Sequence, residues 1–260
     1  MGNSALWLDK LLSACQGMKL DYIDIIIDQC GVDFSVIPAL TGFSAEMIWG
    51  SLYEGLPEDI YQEDAPLLMR IELTEQQQVR WLYELAHETS QHAPLMAVGS
   101  FWQFSPLKTW LKNCVKAELE GREGIFRFWD ARVFHYYFST ILDQKEQEQL
   151  QQPAAFWSWM NRDGAFEFFE GKGRTVDENI PQPHITFSDA QFEKMLCLSD
   201  AKRLLNANPS LKASFPTKED AFSACCHAML AATREGILFE EARDAWVINL
   251  LSQDKDYAIK

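Results

Sequence analysis

Four stretches of this sequence carry residue types that do chemistry, and each fails on spacing. In "HETSQH" (87–92) two histidines flank a glutamate, as in the zinc-binding H-E-x-x-H. That motif sets its histidines four apart on one helix face. Here His87 and His92 are five apart, about 140° from each other at helical pitch, and Pro94 ends the helix at once. "GFSAE" (42–46) approaches the nucleophile elbow G-x-S-x-G, but Glu46 stands where the last glycine belongs and no strand leads in. Ser44 reads more simply as a helix cap. "GKGRT" (171–175) lacks the spacing of a phosphate-binding loop. Cys225, Cys226 and His227 are consecutive, so on a helix they point in different directions and cannot share a metal.

A fifth stretch, "GIFRFWDARVFHYYF" (124–138), places Arg127, Asp130 and Arg132 in a densely aromatic run. Apolar stretches of this kind are buried, and buried charges are costly unless paired. Read as a strand over 124–129, it sets Phe126 and Phe128 on one face and Ile125, Arg127 and Trp129 on the other. Asp130 then precedes a helix over 131–142, where an aspartate caps for about 1 kcal/mol. Arg127 and Arg132 either brace this junction or grip a partner's carboxylate or carbonyl at the sheet edge where α/β folds place ligands.

The elements that must position these residues alternate. "DYIDIIID" (21–28), "PLLMRIEL" (66–73) and "PLMAVGSF" (94–101) read as strands. "TEQQ" (74–77) is a capping box opening one helix, with Val79, Leu82, Tyr83 and Ala86 as its apolar stripe; Ser105 and Pro106 open another over 105–119. This order predicts an α/β fold with a mostly parallel sheet flanked by helices. "AFWSWMNRDGAFEFFEG" (155–171) is an aromatic hairpin turning at Asp163-Gly164. Its aromatics cannot all face one side, so either protein covers both faces or one face is an apolar patch for an amphipathic segment. A polar linker follows over 171–184. Helices opening at "SDAQ" (188–191), at Thr217 and after Gly236 make a small all-helical C-terminal module. The domain expectation is 1–180 for the α/β part and 185–260 for the helices.

The chain of 260 residues has net charge −15, and residues 1–105 hold 4 basic and 15 acidic side chains. Such a front half disfavours DNA, RNA and anionic membranes as partners; it is a solvated acidic surface or a face for a basic partner. No apolar run is long enough to span a membrane, and the start lacks a signal peptide's basic and apolar regions. "MGNSAL" has Leu6 where a myristoylation signal wants Ser or Thr. Six irregularly spaced cysteines read as free thiols, so the expected compartment is cytoplasmic.

With no enzyme signature left, "FRFWDARVF" (126–134) resembles the F-R-F-Y-D-P-R-V-L signature of the type VI secretion effector chaperones, also called effector adaptors. The order of other features agrees. "YIDIIIDQCG" (22–31) is similar to the family's opening strand with its aspartate, here Asp28, and "APLLMRIE" (65–72) to its next strand. "GSFWQFSPLKTWLK" (99–112) and the tryptophan hairpin fall where the family has their counterparts. Ala131 stands for the family's proline, and Lys112 for an arginine. The resemblance spans roughly residues 20 to 170. It implies a non-enzymatic binding protein without cofactor or metal that carries a secreted effector to the VgrG spike. The partner-binding candidates are Lys112, Arg127, Trp129, Asp130, Arg132, Trp157 and Trp159. The rival readings are an immunity protein masking a toxin and a hydrolase using the sheet edge.

Overall fold

A computed structural model describes residues 2–43, 46–90, 92, 94–177 and 179–258, so Ser44 of the elbow-like stretch lies outside the described residues. The chain divides into two compact units, Met1–Phe187 and Ser188–Lys260.

The first unit opens with helix α1 (Asn3–Met18), then strand β1 (Tyr22–Asp28), helix α2 (Ile37–Thr41), strands β2 (Trp49–Ser51) and β3 (Pro66–Glu72), helix α3 (Gln76–Thr89) and strand β4 (Met96–Ser100). Helix α4 (Phe104–Val115) follows, then strands β5 (Lys116–Leu119) and β6 (Arg122–Ile125), short helix α5 (Phe134–Tyr136) and helix α6 (Gln144–Gln151). The unit ends with strands β7 (Ala154–Met160), β8 (Phe166–Glu170) and β9 (Ile185–Phe187).

The class is α/β, but the main sheet is not parallel. Its six strands run in the order β2-β3-β1-β4-β7-β8, and every neighbouring pair is antiparallel. The reason lies in where β1 sits. Strands β3 and β4 are joined by α3 and run the same way, as a strand–helix–strand crossover requires, but β1 occupies the slot between them and opposes both. Alternation of strand and helix signals the crossover without saying whether its strands are neighbours. A separate three-stranded sheet, β6-β5-β9, contains one parallel pair, β5 with β9; β9 therefore belongs with the first unit.

Strand β1 is buried on both faces from Ile23 to Ile27, which accounts for its run of isoleucines without alternation. Gly99 on β4 is required by packing: a Cβ there would lie 2.1 Å from the Phe156 ring. The Asp163-Gly164 turn is as expected, with Gly164 at φ +74°.

Local starts and stops differ from the sequence expectations at four places. Helix α3 begins at Gln76 with Glu75 rather than Thr74 at its N-cap, and the Glu75 side chain does not cap it; Gln78 accepts a hydrogen bond from the Glu72 N–H at 2.9 Å. Helix α4 begins at Phe104, so Ser105 is inside it, and the chain turns to strand at Lys116. The strand expected over 124–129 stops at Ile125. Beyond it Phe126, Phe128 and Trp129 are all buried, and two adjacent residues cannot both point inward from a flat strand. The backbone therefore bends, with the Asp130 N–H reaching back to the Arg127 carbonyl at 3.2 Å. The helix expected over 131–142 is only α5 followed by a π turn, Tyr137–Ile141, closed by Leu142 N–H on the Tyr137 carbonyl at 2.8 Å.

The second unit is helical: α7 (Asp189–Ala207), α8 (Pro209–Lys212), α9 (Lys218–Arg234) and α10 (Glu240–Ala258). The Ser188–Gln191 capping box forms, and Thr217 caps α9 through the Asp220 N–H. Arg203 joins α7 to α10 with two bonds to Asp244, at 2.7 and 2.8 Å, and Arg243 reaches back to Asp200 at 2.9 Å. Among the described residues no helix is long and apolar enough to cross a membrane.

Candidate functional site

The irregular bend after β6 turns Phe126, Phe128 and Trp129 into the core and leaves the intervening polar residues near the surface. Phe126 meets Tyr137 and Phe187 at ring-centroid distances of 4.9 and 5.1 Å. Phe128 meets Trp129 and Trp157 at 5.4 and 6.0 Å. These contacts clamp the segment against β7, so the positions of Arg127, Asp130 and Arg132 are set by the rings between them.

Asp130 organises the turn into α5. Its Oδ1 accepts from the Arg132 backbone N–H at 3.0 Å, and its carbonyl accepts from Val133 and Phe134 at 3.0 and 2.9 Å. The Arg132 guanidinium grips both its carboxylate oxygens at 2.7 Å. Burial works against the Asp130 charge, but the Arg132 bonds outweigh it and hold the carboxyl below its ordinary value. The expected Asp130 helix cap does not form: α5 begins at Phe134 with Val133 at its N-cap and no side-chain cap, and the Asp130 carboxylate instead accepts from the N–H two residues on, in the turn before the helix.

Arg127 turns the other way and bonds Asp28 Oδ2 at the end of β1. Its side chain keeps 40% of its exposure, whereas Asp28 keeps 12%. The second Asp28 oxygen, Oδ1, is buried and has no protein partner. Burial pushes the Asp28 carboxyl up, and the nearby Arg127 only partly offsets it. Tyr53 stands in the field of the same arginine, its hydroxyl pushed up to about 12 by burial against the pull of Arg127. Its ring lies 6.2 Å from that of Trp129, whose buried indole N–H is also without a partner.

The other candidates separate from this cluster. Trp129, Trp157 and Trp159 are core residues with almost no exposed surface, so they support the site from beneath and cannot themselves meet a partner. The hairpin's two faces are both covered. The indole N–H of Trp7 in α1 donates to the Ser158 hydroxyl at 3.0 Å, while Trp157 and Trp159 pack on Phe134 at 5.2 and 4.9 Å. Lys112 is half-buried on α4. One turn earlier, Lys108 rather than Lys112 makes the ion pair, to Glu54.

The buried charge pair of the main sheet had no counterpart among the sequence expectations. Arg70 on β3 stands opposite Asp24 on β1 and grips it with Nε–Oδ1 2.9 Å and Nη2–Oδ2 2.7 Å. The same Nη2 also donates to the Trp102 carbonyl at 2.9 Å, and the guanidinium lies 3.6 Å from the Tyr22 ring centre. Both side chains are buried. The signal was present: each of two apolar strands carries one charge of opposite sign at its middle.

Among the described residues no three His, Cys, Asp or Glu side chains converge as a metal site requires. All six cysteines are free.

Residues 25–149 match the family described as "Domain of unknown function (DUF4123)". The matched span begins inside β1 and ends in α6, so it contains Asp28, Arg127, Asp130 and Arg132 together. No curated protein and no solved structure matches the chain.

Proposed function

We propose that this chain is a non-enzymatic cytoplasmic adaptor that binds a type VI secretion effector and helps load it onto the VgrG spike. The observation that carries the reading is the Asp28–Arg127 pair. It joins the two segments of the signature resemblance, the opening strand and the aromatic-arginine motif, at one point of the surface. Asp28 and Arg127 themselves both fall within the family match.

Arg127 suits a recognition role because one of its nitrogens is fixed by Asp28 while its side chain keeps 40% of its exposure. A guanidinium held this way loses little further freedom on gripping a carboxylate or backbone carbonyl. The Arg132–Asp130 pair beside it is closed on itself and serves to hold the turn. Lys112 and the three tryptophans act, in this reading, through the scaffold.

The test is co-expression with a candidate effector and spike taken from genes neighbouring this one, with wild type and Arg127→Glu captured in parallel. Wild type retains the effector and a folded Arg127→Glu loses it. An empty wild-type capture overturns the adaptor reading, and neutralisation of an adjacent toxin's activity without any spike association would replace it with the immunity reading.

A further inference from the structure

The six-stranded sheet ends at β8 (Phe166–Glu170), which has β7 on one side and, among the described residues, no strand on the other. Which of its backbone groups are left over follows from the register. The Asn161 N–H bonds the Ala165 carbonyl at 3.0 Å, and the Gly171 N–H bonds the Ala155 carbonyl at 2.9 Å. Trp159 pairs with Glu167 and Trp157 with Phe169 between these two points. Antiparallel pairs alternate between bonded and non-bonded, so Glu167 and Phe169 turn their N–H and C=O groups toward β7. Phe166, Phe168 and Glu170 turn theirs outward, and among the described residues no backbone group bonds them.

Exposed edges of this kind are usually blunted by proline, lysine, a bulge or a covering element. The strand "FEFFE" has none of the first three within it. Its rings are instead held in place: Phe168 stacks on Phe156 at 5.0 Å and on Phe166 at 6.1 Å, and Phe169 meets Phe138 at 4.5 Å. All three remain only half-buried. A further strand would find an outward row of donors and acceptors with ordered rings above and below it.

We infer that the β8 edge is a strand-addition site, and that its occupant is an extended segment of the cargo protein carrying Lys or Arg beside an apolar alternation. Charge decides between occupants. Glu167 and Glu170 lie on opposite faces of the edge, and the chain is net −15. A second copy would bring another −15 to the same edge, whereas a basic strand is complementary to it. The inference rests on the adaptor reading above and adds the place and chemistry of the contact.

The experiment is residue-resolved amide exchange on the full chain, alone and bound to the co-expressed effector. Alone, the Glu167 and Phe169 amides are protected while those of Phe166, Phe168 and Glu170 exchange quickly. In the complex these three slow by about tenfold or more. Phe168→Pro removes an outward N–H without touching the β7 ladder and weakens effector binding about tenfold or more. Phe168→Ala loses the same ring but keeps the N–H, and it retains most of the binding, which separates edge blockade from lost packing. Glu170→Lys weakens binding about fivefold at low salt and less at high salt.

A complex that forms with the three amides unchanged, and that tolerates Phe168→Pro, overturns the edge proposal and leaves the adaptor reading standing. Protection that appears without effector and grows with protein concentration assigns the edge to a second copy and overturns it as well. No complex at all removes the adaptor reading and this proposal with it.

Discussion

Strand β1 carries two aspartates, each joined to an arginine from elsewhere in the chain, and the two pairs are built differently. Asp24, in the middle of the strand, takes two bonds from Arg70, which also bonds a carbonyl and lies against a tyrosine ring. Asp28, at the strand's end, takes a bond from Arg127 on one oxygen only and leaves the other buried without a partner. The first pair is closed and dry; the second is open toward solvent on the arginine side. A closed pair holds the sheet together and has nothing left to offer. An open one contributes less to stability and keeps donors for something else.

The largest effect should come from opening the closed pair. Arg70→Met leaves Asp24 buried and unpaired, and should destabilise the protein by about 3–5 kcal/mol in denaturant unfolding. Asp24→Leu combined with Arg70→Met should recover most of that loss, since replacing both charges removes the uncompensated one. A loss as large in the double variant would show that the pair itself, and not the orphaned charge, sustains the sheet.

Asp130→Ala comes next, at about 1–2 kcal/mol, because it removes the turn bond and both contacts to Arg132.

Acid titration of stability sharpens the contrast between Asp28 and Asp130, and the two act in opposite directions. Asp130 has a folded pKa below the ordinary 3.8, so its contribution is present above that value and lost as pH falls beneath it. Asp28 has a folded pKa above 3.8, so its contribution grows as pH falls through that folded value toward 3.8. Asp130→Asn should therefore flatten the loss of stability at the acid end. Asp28→Asn should remove the gain at the higher pH, making the decline from neutrality steeper. Identical acid limbs in both variants would dissolve the distinction between the pairs.

The smallest effect on stability is expected at the open pair. Arg127→Ala should cost about 1 kcal/mol, because the arginine side is exposed and the Asp28 carboxyl, already pushed up by burial, can take a proton when its partner is lost.

The central strands and the aromatic hairpin were legible because their residues satisfy one local rule each: β-branched runs between turn residues, and Asp163-Gly164 between aromatic strands. The sheet's direction was not, because β3, α3 and β4 do form a crossover, and nothing local in those residues reveals that β1 lies between the strands. The same missing register hid Arg70 and Asp24, whose partnership exists only once β1 and β3 are aligned. At the candidate site, the residue types pointed to Arg127, Asp130 and Arg132, and Asp28 entered through the resemblance alone. The tryptophans misled for a physical reason: aromatic excess looks the same in sequence whether rings line a surface or fill a layer. Here Phe134 packs on Trp157 and Trp159, and Phe128 on Trp129.

Retention of the co-expressed effector, measured alongside the unfolding midpoint of Arg127→Ala, tests the central claim most directly. The account predicts a midpoint close to wild type with effector retention lost. A midpoint that falls as far as that of Arg70→Met, or full retention in the stable variant, would contradict it.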